Sequence, residues 1–281
     1  MVELSVVVPI YNEAGELWQM ATDLAQRLDR IVGSGAWQFV LVDNGSADAS
    51  PQIIDRIVKT WPTSIARHLA KPDYGMALAD GLTCAEGDWA YLVNVDFWDE
   101  AFLNWCWRYR GPYDLVLGSK RADASLNQQQ SYRRLLSWGL NTILQSVFGF
   151  VGTDTHGQKF LSLASMRPIL AETRMRRGQY DTEFSLRAMR TGLWIAEVPV
   201  PLVEMRPPRN LMLGKIFRNL VDIVRLRRIM RLIPADRPVR YHRFARHDVE
   251  CEDNTRARFL LALTQRSSAR LDTAARENAA S

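Results

Sequence analysis

Cysteine is scarce in this 281-residue chain: Cys84, Cys106 and Cys251 are odd in number, widely spaced and in no Cys-x-x-Cys arrangement. That argues against a disulfide framework and a zinc site, and a reducing, cytoplasmic setting is expected. Long apolar runs are also missing. No stretch approaches the roughly 18–20 residues that span a bilayer as a helix, so the chain is not expected to cross a membrane by itself. Met1-Val2-Glu3 leads straight into the apolar run Leu4–Ile10, without the basic region and cleavage site of a secretory signal, and no export is expected. No internal repeat is visible.

What the chain does concentrate is positive charge. Residues 206–246 hold twelve Arg or Lys against two acids, net +10, on a chain whose total is +5. A basic segment of that density predicts an anionic partner. Aromatic interleaving is sparse there, with only Phe217, Tyr241 and Phe244 available to stack, so lipid headgroups are favoured over nucleic acid. Leu213, Ile216, Phe217, Leu220 and Val224 share one helical face, and Lys215, Arg218, Asp222 and Arg225 the other. Beyond Arg225 the apolar positions Leu226, Ile229, Met230 and Ile233 change side, which predicts a break or bend near Arg225.

With 47% hydrophobic residues, the chain has ample material for a large α/β core. Up to about residue 121, short β-branched runs alternate with helical stretches, the pattern of a largely parallel sheet covered by helices. Strands are expected at Leu4–Ile10, Trp37–Asp43, 64–69, 89–95 and 114–119, and helices at 16–31, 51–60, 75–85 and Glu100–Tyr109. A helix over 132–148, strands at 159–163 and 193–199, and a helix over 182–191 follow.

Ligands of open parallel sheets bind at the carboxyl ends of the strands. The first strand ends in Pro9-Ile10-Tyr11-Asn12-Glu13 and the second in Asp43-Asn44-Gly45-Ser46-Ala47-Asp48. Asp43 suits a base or ribose, Gly45 a tight turn, and Ser46 either a ligand or a helix start; Asn12 and Ser46 read equally well as caps. The fourth strand ends in Asn94-Val95-Asp96-Phe97-Trp98-Asp99-Glu100. Period two points Asn94 and Asp96 the same way, where they suit a hard divalent cation bridging a diphosphate, while Asp99 also reads as a helix cap.

In this order and spacing the chain resembles glycosyltransferase family 2, most closely its polyprenyl-phosphate sugar transferases of the dolichol-phosphate mannose synthase kind, over roughly residues 4–220. Beyond the three strand-end motifs, the resemblance rests on Gly118-Ser119-Lys120-Arg121, on Arg134 with Ser137 and Asn141, and on Asp154-Thr155-His156-Gly157-Gln158-Lys159. Tyr180-Asp181-Thr182-Glu183 and Glu197-Val198-Pro199-Val200 complete it. It implies a GT-A, Rossmann-like α/β fold, with a mostly parallel mixed sheet, helices on both faces and a C-terminal basic amphipathic helical segment. The element pattern along the chain divides it into a domain over 1–208, with a nucleotide-sugar-binding half at 1–121 and an acceptor half at 122–208. An extension at 209–266 and a disordered tail at 267–281 follow.

The resemblance also implies an activity: inverting transfer of a sugar from a nucleoside-diphosphate sugar to polyprenyl phosphate or another membrane-bound acceptor, with Mg²⁺ or Mn²⁺, on the inner, anionic membrane face. Donor nucleotide contacts would come from Pro9, Tyr11, Asn12, Glu13, Asp43, Asn44, Ser46, Gly75 and Asn94, and metal ligation from Asp96 and Asn94. Asp99 or Glu100 would be substitute ligands. Asp96, Asp154, Asp181, Arg121 and Arg134 would be catalytic, and Ser137, Arg206, Arg209 and Lys215 would hold the acceptor phosphate. Asn44 and Asn94 stand where the family has acids and Trp98 where the lipid-phosphate branch has Gln, so weaker cation binding is expected, since an amide is a poorer ligand than a carboxylate. Two alternatives stay open: a carbohydrate hydroxyl as acceptor, for which Asp154, Asp181 or Glu183 would supply the base, and a non-catalytic family member. No nucleic acid is expected as partner, and a homo-oligomer is left open.

Overall fold

Strands β1 (Leu4–Ile10) and β2 (Trp37–Asp43) have no exposed residue, as expected of strands covered on both faces. Alternation then divides them: Leu4, Val6, Val8 and Ile10 join the core on one face of the sheet, and Val7 the core on the other. The computed structural model describes residues 1–122, 131–201, 212–235, 237–252, 255–256, 259, 262 and 264–269, without the side chains of 131–138, 140 and 212–220.

Six further strands are β3 (Ile65–His68), β4 (Trp89–Leu92), β5 (Leu115–Ser119), β6 (Lys159–Ser162), β7 (Trp194–Pro199) and β8 (Arg240–Arg243). They form one 8-stranded sheet in the order β3-β2-β1-β4-β6-β5-β7-β8. Only β6 runs antiparallel to its neighbours, so the carboxyl ends of the rest share one edge. Helices α1 (Leu17–Ile31), α2 (Ser50–Thr60) and α4 (Glu100–Tyr109) pack on one face. The other face carries α3 (Tyr74–Cys84), α5 (Ser131–Phe148), α6 (Leu163–Glu172), α7 (Tyr180–Arg190) and α8 (Met212–Met230). A short α9 (Arg246–Glu250) follows β8.

Five expectations need correction. β4 stops at Leu92 rather than 95, because Asn94 and Phe97 exchange backbone hydrogen bonds (3.3 and 3.2 Å) and turn the chain off the sheet. α6 was not anticipated. It begins directly after β6 and contains Pro168, both of which disguise its period. Residues 209–266 were read as helical, yet β8 lies inside them, paired with β7, and the following Phe244 is buried. α8 runs unbroken through Arg225, because Ile223, Leu226 and Met230 face the core at helical spacing. The stripe read after Arg225 is thus the core face, whereas Val224 is exposed. Residues 267–269 of the expected tail are helical, and 270–281 lie outside the described residues.

Candidate active site

At the shared edge the first two loops are sewn together by their own polar side chains. Asn12, at φ 55°, donates its N–H to Ser46 Oγ (3.0 Å) and accepts from Ala47 N–H at its Oδ1 (2.8 Å). Asn is among the few residues that adopt such a φ readily. Glu13 N–H donates to Ser50 Oγ at 2.9 Å. Asp43 Oδ1 accepts from Ser46 N–H (3.0 Å), while its Oδ2 lies 3.5 Å from His68 Nδ1. Asn44 Oδ1 accepts from Asp73 N–H at 2.6 Å, and Asp73 Oδ1 in turn caps α3 at Met76 N–H and accepts from Arg177 N–H, at 3.1 and 2.8 Å. An acid at 44 would add a second charge beside Asp73, so the amide fits its surroundings. Pro9 is a strand residue paired with Val42, and Tyr11 is exposed. Gly75 is buried, and a Cβ on it would stand 2.7 Å from Arg177 N; it seats the Arg176–Arg177 turn against α3.

The Asn94–Phe97 turn leaves Asp96 exposed, with no hydrogen bond or ion pair to the described residues. Asp99 caps α4 through Phe102 N–H (2.6 Å), and Glu100 pairs with Arg27 and Arg30, so both substitute ligands are engaged elsewhere. Burial raises the Asp99 carboxyl above its ordinary range. Among the described residues no three His, Cys, Asp or Glu groups converge as a metal cage. One free carboxylate with an amide nearby still fits Mg²⁺ or Mn²⁺, since hard cations of this kind take one or two carboxylates and complete their shell with phosphate oxygens and water. Behind the turn, a cavity of about 10 Å³, room for about one water, is lined by Tyr74, Asn94, Gln158 and Lys159 among others. Burial pushes the Tyr74 phenol up, and the charges of Asp181 and Asp96 add to the shift.

A larger opening of about 220 Å³ lies between β5, α5 and the 153–156 loop, lined by Lys120, Arg121, Asn141, Thr153, Asp154 and His156 among others. Its wall is anchored by buried Glu197, whose Oε1 accepts from Thr153 N–H at 2.8 Å and whose Oε2 meets Arg243 at 3.0 Å. Asp154 Oδ1 accepts from His156 N–H (2.9 Å); its buried Oδ2 has no hydrogen-bond partner among the described residues and lies 3.9 Å from Lys120 Nζ. Asn141 Oδ1 is likewise buried and unpartnered. Burial lowers the Arg121 guanidinium, with Asp154 and Glu197 opposing the shift.

Asp181 is not free to act as a base. Its Oδ2 is paired at 3.1 Å with Lys159 Nζ, both side chains being almost fully buried, and Lys159 also donates to Gly157 O at 2.9 Å. Glu183 is consumed by Arg187 Nε (2.7 Å) and by the N–H groups of Arg174 and Met175. The sequence-derived residues thus fall into two neighbouring groups, the loops after β1, β2 and β4 and the cavity with Arg121 and Asp154. Arg206 and Arg209 lie outside the described residues, as do the side chains of Arg134, Ser137 and Lys215. Sequence reasoning quoted Lys120 and Lys159 inside motifs but gave them no role; a cation inside a buried strand, as Lys159 is, signals a buried acid as partner.

The model of the family described as "Glycosyl transferase family 2" matches residues 5–102. Dolichyl-phosphate beta-glucosyltransferase of Saccharomyces cerevisiae is 45% identical over 226 residues, 72% of this chain and 67% of that protein. The protein of the same name from Dictyostelium discoideum is 26% identical over 240 residues, 80% and 73% of the two chains. Among solved structures, glucosyl-3-phosphoglycerate synthase from Mycobacterium tuberculosis, in complex with Mn²⁺, UDP-glucose and phosphoglyceric acid, superposes with TM-score 0.56 at 18% identity, over 80% of this chain and 79% of that one. A Pyrobaculum calidifontis mannosyltransferase in complex with GDP-Man and Mn²⁺ gives TM-score 0.54 at 17% identity, over 97% and 75%. The structural likenesses bear on the fold alone, a GT-A α/β sheet. With the yeast relative 45% identical across two thirds of its length, the chain belongs to glycosyltransferase family 2 and is a glycosyltransferase.

Proposed function

We propose that the chain transfers a sugar, with inversion, from a nucleoside-diphosphate sugar to the phosphate of a polyprenyl phosphate at the cytoplasmic membrane face. The observation that carries the choice of acceptor is the open cavity with Lys120 and Arg121 on its wall. A lipid phosphate is already anionic near neutral pH and needs cations to hold it, not a base to activate it. Two of the three candidate bases, Asp181 and Glu183, are tied to Lys159 and Arg187. In this reading the loops after β1 and β2 hold the nucleotide, Asp43 serves the base or ribose, and Lys120 and Arg121 orient the phosphate for displacement at the anomeric carbon. Asp96, with Asn94 beside it, would hold Mg²⁺ or Mn²⁺, which when bound neutralises the leaving diphosphate. The names of the relatives support the acceptor class, since several act on dolichyl or undecaprenyl phosphate.

One observation favours the hydroxyl-acceptor reading: Asp154 Oδ2 is buried in the cavity wall without a partner, as a base would be. Asp154→Asn separates the two. With a phosphate acceptor the variant retains transfer within about 10-fold, with its change mainly in KM; with a hydroxyl acceptor, loss of the base lowers kcat by about 10²–10⁴-fold. Rates on each acceptor across pH 5–9 decide.

Membrane docking is supported by the outer side of α8, where Val221 and Val224, 53% and 54% exposed, lie among exposed Arg225, Arg227, Arg228 and Arg231. Each basic residue near an anionic bilayer contributes about 1 kcal/mol. Since α8 spends Ile223, Leu226 and Met230 on the core, Val224→Glu is expected to release the protein from anionic vesicles without moving Tm by more than about 2 °C. No helix among the described residues is long and apolar enough to cross a membrane. Equal co-sedimentation of both proteins at low and high salt would contradict docking through this face.

A further inference from the structure

The segment between α6 and α7 carries Arg174, Arg176 and Arg177, all exposed. None has a side-chain hydrogen bond or ion pair to the described residues. Their backbone, by contrast, is held at several points. Arg174 N–H and Met175 N–H donate to the buried Glu183 carboxylate. Arg177 adopts φ 56°, a left-handed conformation that a side chain of this size rarely takes. Its N–H donates to Asp73 Oδ1 at 2.8 Å, and Gly75 packs against the Arg176–Arg177 peptide so closely that a Cβ would meet Arg176 C at 2.8 Å. The next residue faces the other way: Gly178 O receives His156 Nε2 at 2.8 Å. Consecutive residues of this turn therefore touch the two halves of the site. Asp73 leads through Asn44 to the donor loops, and His156 lines the acceptor cavity beside Asp154.

A strained backbone persists only where its surroundings over-determine it, and such positions cluster at ligand clamps. In the donor-site reading argued above, the diphosphate lies between the donor loops and the acceptor cavity, the two parts that this turn joins through Asp73 and His156. Among the described residues the Asn94–Phe97 turn offers a single free carboxylate, Asp96, Asp99 and Glu100 being engaged elsewhere, so much of the charge developing on a departing diphosphate is left for other cations to balance. We propose that Arg176 and Arg177 form a guanidinium clamp for the diphosphate of the donor, held at the junction of the two half-sites by Asp73, Gly75 and His156. The clamp rests on the glycosyltransferase donor site argued above and adds to it residues that no motif contained. Guanidinium forks match phosphate oxygens in pairs, and this clamp binds diphosphate without a divalent cation.

The test is calorimetric titration of UDP and GDP, each beside its nucleoside, in EDTA and in Mn²⁺. The proteins are the full chain, R176Q/R177Q, R176K/R177K and Arg177→Gly. Glycine takes the φ of residue 177 without strain, so Arg177→Gly removes the charge while favouring the turn. In EDTA the full chain binds UDP or GDP with salt-sensitive affinity. R176Q/R177Q weakens that binding at least 10-fold, Arg177→Gly weakens it at least 3-fold with Tm unchanged or raised, and the Lys pair retains an intermediate affinity. Nucleoside binding changes less than 2-fold throughout. Unaltered UDP and GDP affinity in R176Q/R177Q and Arg177→Gly overturns the clamp alone. Failure of the full chain to bind UDP, GDP or their nucleosides in either buffer overturns the donor site, and the clamp with it.

Discussion

Asp96→Ala is expected to reduce sugar transfer by on the order of 10²–10³-fold while leaving Tm unchanged. The size of the effect follows from isolation. Asp96 is exposed on the Asn94–Phe97 turn and has no partner among the described residues, so removing it costs the fold nothing. Asn94 offers only a neutral amide and Asp99 and Glu100 are already engaged, so no second carboxylate takes its place. The converse change, Asn94→Asp, is expected to lower the Mn²⁺ concentration needed for half-maximal activity, because a carboxylate is the stronger ligand for a hard cation. Both are read from initial rates against metal concentration. Asp96→Ala with wild-type activity in chelator would remove Asp96 from the mechanism.

Lys159→Met is expected to be among the most destabilising single substitutions in the site, by about 3–5 kcal/mol, because it strips a buried carboxylate of its counter-ion. Lys159 Nζ and Asp181 Oδ2 are 3.1 Å apart, with side chains 3% and 2% exposed. The remaining contacts of Asp181, Thr182 N–H at 3.0 Å and His156 Nε2 at 4.0 Å, do not replace a full cation. Neutralising both partners together, in Lys159→Met with Asp181→Asn, is expected to recover most of the loss. Chemical denaturation of the four proteins gives the coupling. Additive losses would show that the pair is not a unit.

The parts of the fold that depend on dense apolar runs were legible in the sequence: β1 and β2 begin and end where their patterns do. β8, with the sequence Arg-Tyr-His-Arg, was not, because a short edge strand keeps charge at its exposed positions and buries little. α8 was legible as a helix but not as to which side meets the core, since both sides carry apolar residues and only the packing of Ile223, Leu226 and Met230 decides. Asp43 was legible as the end of β2, whereas Asp96 was read as a strand end and lies instead on the Asn94–Phe97 turn beyond β4. The pairing of Asp181 was not legible, because its partner Lys159 is 22 positions away, and neither was the Arg176–Arg177 turn, whose backbone is held by Asp73, 104 positions away.

The central claim, that a polyprenyl phosphate is the acceptor, is tested most directly by product analysis. Purified full chain is incubated with radiolabelled UDP- and GDP-sugars, Mn²⁺ and polyprenyl phosphate in anionic vesicles. A matched reaction contains the dephosphorylated polyprenol with carbohydrate acceptors. The account predicts an acid-labile sugar phosphate diester in the lipid phase of the first reaction and no labelled product in the second. Label appearing on the carbohydrate hydroxyls, with none on the lipid phosphate, would contradict it.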